Sequence, residues 1–106
     1  MTADETLEVV LEGELDIATV DDAQRRVAAA ERRAPSLLVI DLSNLTFVDS
    51  SGVRVLLVAD DRARAAGRRL AVRLGQGPAL RVFTALGLVD RFEVLPARED
   101  PPPDQA

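Results

Sequence analysis

The run Leu37-Leu38-Val39-Ile40-Asp41-Leu42 is apolar at almost every position. A strand with one wet face alternates apolar and polar residues. A run apolar on both sides predicts an interior strand covered on both faces, as in sheets whose parallel strands are joined by crossover helices. That constrains the rest of the chain. It must supply further strands beside this one and helices to cover them.

The flanking sequence reads that way. Leu7, Val9, Leu11, Gly13, Leu15 and Ile17 alternate with Glu8, Val10, Glu12, Glu14 and Asp16, which predicts a half-buried strand with Asp16 near its end. Thr19-Val20-Asp21-Asp22 resembles a capping box with Asp in place of Glu and opens a helix, with Val20, Ala23, Val27, Ala30 and Ala34 at helical spacing. Pro35 closes it. After the Leu37–Leu42 strand, Ser43-Asn44-Leu45-Thr46 reads as a turn. A second helix is predicted over about Ser51–Ala66, with Val53, Leu56, Leu57 and Ala63 inward and Asp60, Asp61, Arg62 and Arg64 on a charged, solvated face. Gly67 caps it. Leu70, Val72 and Leu74 mark a third strand, and Gly75-Gln76-Gly77 a turn. Pro78 starts a third helix with Leu80, Phe83 and Leu86 as its apolar row, and Phe92-Glu93-Val94-Leu95 reads as a last strand. The expected pattern is β-α-β-α-β-α-β: one compact α/β domain over residues 7–96, with about four strands in a mostly parallel or mixed sheet and three helices. A flexible start over residues 1–6 and a disordered tail over 97–106, built around Pro101-Pro102-Pro103, flank it.

Composition narrows the chemistry. The 106 residues suit one domain that buries roughly 60–70% of its unfolded surface. Cysteine and histidine are absent, and all thirteen basic residues are arginine. There is no imidazole base for a serine hydrolase and no lysine for a Ser–Lys dyad or a phosphate loop. A formal net charge of -5 argues against nucleic acid as a partner. No apolar run approaches the ~18–20 residues that span a bilayer, and the acidic start lacks a signal-peptide pattern, so a soluble cytoplasmic protein is expected. Asp16, Asp41 and Asp49 could gather at one sheet edge, as in a receiver or a carboxylate Mg²⁺ site. A receiver, however, resembles others of its kind in a lysine that this chain lacks. Gly75-Gln76-Gly77-Pro78 could cradle an anion at a helix start but is more simply a turn. No enzyme activity, cofactor or metal is expected.

Asp49-Ser50-Ser51 falls where the second helix begins, beside the carboxyl edge of the sheet. The first N–H groups of a helix lack intrahelical acceptors and favour negative charge. A serine there is either a helix cap or a hydroxyl open to modification, and a phosphoryl group added to it would meet those N–H groups.

Gly13-Glu14-Leu15-Asp16, Asp41-Leu42-Ser43 and Phe47-Val48-Asp49-Ser50-Ser51-Gly52-Val53 together resemble the motifs of STAS domains, specifically those of anti-sigma factor antagonists. Leu86-Gly87-Leu88-Val89-Asp90-Arg91-Phe92 is similar to the family's closing segment, so the likeness spans about residues 7–95. The resemblance implies a non-enzymatic regulator that binds an anti-sigma factor with serine kinase activity and frees a sigma factor. It is switched off when the serine after the aspartate, here Ser50, is phosphorylated, and a separate protein phosphatase resets it. It implies a partner-binding surface from Asp16, Asn44, Asp49, Ser50, Ser51, Gly52 and Arg54. The alternative within the fold is a STAS subunit or scaffold of a transporter or stress-signalling complex that binds without phospho-switching. Three departures stand out. The family's usual first strand and C-terminal helix are missing, and Arg54 stands where glycine is common. An edge strand left exposed by the first departure could support weak self-association.

Overall fold

The protein is described by a computed structural model over residues 5–97. Of the expected flexible start over 1–6 and tail over 97–106, residues 1–4 and 98–106 lie outside the described residues, while Glu5 accepts from Ser36 N–H and Thr6 already belongs to the first strand. Four strands and three helices alternate: β1 (Thr6–Leu15), α1 (Val20–Glu31), β2 (Leu37–Val48), α2 (Ser50–Ala65), β3 (Arg69–Arg73), α3 (Pro78–Ala85) and β4 (Glu93–Leu95). A single 3-10 turn, Val89–Arg91, precedes β4. The strands lie in the order β1-β2-β3-β4, and every neighbouring pair is parallel.

β2 explains this arrangement. Leu38, Ile40 and Leu42 point into the main core, while Val39 and Asp41 alternate onto the other face and are also buried. The helices cover the first face with Ala23 and Val27 of α1, Val53, Leu56, Ala59 and Ala63 of α2, and Ala79 and Phe83 of α3. The Phe83 ring meets Phe92 at 5.5 Å between centroids, which closes the core at the β4 end. On the opposite face Arg73 Nε reaches Glu8 Oε2 at 3.0 Å, an ion pair from β3 to β1 across β2.

Several expectations need correction. β2 does not stop at Leu42 but runs on to Val48, so Ser43–Thr46 is strand, not turn. The turn-like composition marks an irregularity instead. The pairing with β1 shifts between Val10 and Glu12, where Asp41 Oδ1 accepts from Ser43 N–H at 2.9 Å and from Ser43 Oγ at 2.6 Å. A side chain that satisfies its own backbone two residues on lets the strand bulge and resume. Gly75 fits this bend. It has φ +67°, and a Cβ there would lie 2.6 Å from Ser43 Cβ, so only glycine lets the β3–α3 turn pass.

The capping box does not form. Thr19 is the N-cap of α1 by position, but its side chain makes no cap bond. It turns back into the β1–α1 connection, accepting from Asp16 N–H and donating to the Glu14 carbonyl, both at 2.9 Å. Ile17 lies past the end of β1 and is 78% exposed. Leu86, assigned from periodicity to the buried row of α3, is its C-cap residue and is 55% exposed. Asp60 departs in the other direction. It is buried on α2, not solvated, and accepts from Arg64 Nε at 2.9 Å and Arg91 Nε at 3.3 Å.

Candidate functional site

The end of β1 and the start of α2 are joined by the backbone. Leu15 pairs with Val48, and the Asp49 N–H donates to the Leu15 carbonyl at 3.2 Å. Asp16 and Asp49 are therefore neighbours across the carboxyl ends of two adjacent parallel strands, where open α/β sheets carry their functional groups. Asp16 is half-buried and already engaged, with Oδ1 accepting from Ala18 N–H at 2.9 Å.

Asp49 caps α2. Its backbone is extended, and its Oδ1 accepts from Ser51 N–H at 2.9 Å and Gly52 N–H at 3.3 Å. The Val53 N–H donates to the Asp49 carbonyl at 3.1 Å. Of the helix-start N–H groups expected to meet a phosphoryl group, those of Ser51 and Gly52 are taken by the aspartate, and among the described residues the N–H of Ser50 donates to no acceptor. With Asp49 as the cap, Ser50 need not be one. It is the first residue of α2, it is exposed, and its hydroxyl makes no hydrogen bond among the described residues. Ser51 is half-buried.

Gly52 is buried, and a Cβ on it would stand 2.7 Å from Leu15 Cγ. Its place in the Asp-Ser-Ser-Gly block is a packing requirement between α2 and β1, so it presents no side chain to a partner. Asn44 is not part of the cluster either. It is half-buried in β2 opposite Glu12, four residues ahead of Val48. Nor does Asp41 join Asp16 and Asp49 at the sheet edge. It is fully buried inside the strand, and among the described residues no three acidic side chains come together to hold a cation.

Beside Ser50 an open groove of about 580 Å³ is lined by Ser51, Val53, Arg54, Leu57, Leu86 and Leu88. Ser50, Arg54 and Leu57 have the spacing i, i+4, i+7 and share one helical face. That spacing is visible in the sequence. The contribution of Leu86 and Leu88 is not, because it depends on how the end of α3 docks beside α2.

A family model described as the STAS domain matches residues 2–100. This chain belongs to the STAS family. Solved structures similar to it include the anti-sigma factor antagonist SpoIIAA in its unphosphorylated form, at 27% identity and a TM-score of 0.73 over 93% of this chain and 85% of that one. An anti-sigma factor antagonist from Mycobacterium paratuberculosis is similar at 28% identity and 0.76, over 89% and 80%. A sulfate transporter family protein from Wolinella succinogenes shares the fold at 13% identity and 0.69, over 84% and 75%. In this STAS domain the described helices include none long and apolar enough to cross a membrane.

Proposed function

We propose that this STAS domain is an anti-sigma factor antagonist. It binds an anti-sigma factor that is also a serine kinase, frees a sigma factor, and is switched off by phosphorylation of Ser50. The observation that carries this reading is Ser50 itself: an exposed hydroxyl with no hydrogen bond of its own, directly after the capping Asp49 and at the rim of a groove with Leu57, Leu86 and Leu88. The likeness to SpoIIAA, also solved in its phosphorylated form and there 29% identical to this chain, supports it. The protein acts in the cytoplasm as a binding partner, not an enzyme, and a phosphatase restores it.

The chemistry divides between the two proteins. Transfer forms a bond from Ser50 Oγ to the γ-phosphorus of ATP, breaks the bond to the bridging oxygen, and releases ADP. The hydroxyl proton goes to a base on the kinase. This chain has no histidine or lysine to serve, and Asp49 is committed to two amides. The product carries about −1.5 to −2 charges at pH 7. A partner carboxylate brought within about 4 Å would cost roughly 4 kcal/mol per unit charge at an effective dielectric near 20. A third of that is about tenfold in affinity, so no change of fold is needed for the switch.

The test is site mapping by mass spectrometry after incubation with the partner kinase and ATP, with Ser50→Ala and Ser50→Asp as baits for partner capture. Phosphate is expected on Ser50. Ser50→Ala should keep the partner, and Ser50→Asp should weaken capture, though less than phosphate does. Phosphate on Ser51 or Thr46 would overturn the assignment. An active kinase that leaves the chain unmodified while staying bound would favour the transporter or stress-signalling scaffold.

A further inference from the structure

Among the described residues, Arg54 is the sole charged one lining the groove beside Ser50. It is exposed and, among the described residues, makes no hydrogen bond or ion pair. The other arginines of α2 are committed, Arg62 to Glu31 at 3.1 Å and Arg64 to Asp60 at 2.9 Å. Arg54 stands one helical turn beyond Ser50 on the same face, where Cβ atoms are about 5–6 Å apart. The amides of Ser51 and Gly52 already donate to Asp49 Oδ1, and that of Val53 to the Asp49 carbonyl. A phosphoryl group on Ser50 would thus find these donors taken, with the backbone N–H of Ser50 itself left and the Asp49 carboxylate next in the chain. The uncommitted cation on its own face is Arg54.

We infer that Arg54 holds the Ser50 phosphoryl group in cis, its guanidinium donating charge-assisted hydrogen bonds to the phosphoryl oxygens. This rests on Ser50 as the site of modification. Planar guanidinium matches phosphate better than any other side chain does. The pair lies along the groove wall towards Leu57, facing Leu86 and Leu88. Modification then does more than add charge. It covers the apolar strip a partner would bury with an ion pair, which the partner must desolvate or break.

Phosphoserine incorporated at position 50 during translation tests this without any kinase. The second ionisation of the phosphate is followed by 31P NMR. An adjacent cation favours the dianion, so the midpoint, near 6 for an unpaired phosphoserine, should lie about 0.3 pH unit or more lower with Arg54 present than in Arg54→Gln. The gap should shrink in molar salt. Arg54→Lys should retain part of it, and Arg26→Gln on α1 should leave it intact. Equal midpoints with and without Arg54 would overturn the inference, as would an equal shift from Arg26→Gln, which would indicate net charge and not contact. Because the phosphate is installed independently, a failure to find kinase modification at Ser50 leaves this result readable, and the two failures separate.

Discussion

At the scale of single residues, Asp49 and Ser50 divide two tasks that the sequence alone leaves entangled. A helix start needs an acceptor for its first amides, and a modifiable hydroxyl must be free of such duty. Asp49 takes the amides of Ser51 and Gly52, so Ser50 is spared. Stability should therefore separate the two positions. Asp49→Ala removes the cap and should cost about 1 kcal/mol, lowering Tm by about 4–8 °C. Ser50→Ala should stay within about 0.5 kcal/mol, because the side chain is exposed and unbonded. Paired thermal melts would decide it, and a larger loss from Ser50→Ala would mean that the serine is the cap. The Asp-Ser-Ser-Gly block was legible as a helix start. What was not legible is that Gly52 serves packing against Leu15, since a close approach between a helix and a distant strand leaves no local mark.

At the scale of elements, Asp60 binds α2 to the segment before β4. It accepts from Arg64 one turn along its own helix and from Arg91 on the 3-10 turn, while Asp61 takes the other arm of Arg91 at 2.9 Å. Charge patterning placed Asp60 on a solvated face because its neighbours Asp61 and Arg62 are there. Arg64 and Arg91, the second thirty-one residues away, together make its burial tolerable. Removing a fully buried partner costs about 3–5 kcal/mol. Here the side chains of Arg64 and Arg91 are 64% and 38% exposed, so Asp60→Ala should cost less, about 1–2 kcal/mol. Asp61→Ala, at a side chain 70% exposed, should cost under about 0.5 kcal/mol. Urea midpoints at constant slope measure both. Equal losses would sink the distinction drawn between these adjacent aspartates.

At the scale of the whole molecule, β1 forms one edge of the sheet among the described residues. Its pairing with β2 shifts twice, Gly13 has φ +76°, and Glu12 and Glu14 are exposed. The extra residues at both shifts lie on β2, and a locally irregular ladder together with charges on the edge strand blunts it against pairing with another copy. Any self-association through β1 should therefore be weak. Sedimentation equilibrium at micromolar concentration should return the 11.4 kDa monomer, and a stable dimer mass there would contradict it. The alternation of strand and helix patterns, with β2 apolar on both faces, determined the α/β class, the three crossover helices and a mostly parallel or mixed sheet, because periodicity and the need to cover a doubly apolar strand are local properties of the chain; that every neighbouring pair is parallel came from the structure. The continuation of β2 through a turn-like segment, the burial of Asp60, the exposure of Leu86, and the groove that brings Leu86 and Leu88 to Ser50 and Arg54 were decided only in three dimensions. Each depends on contacts between segments far apart in sequence, and those acquire an energy only when the fold brings them together.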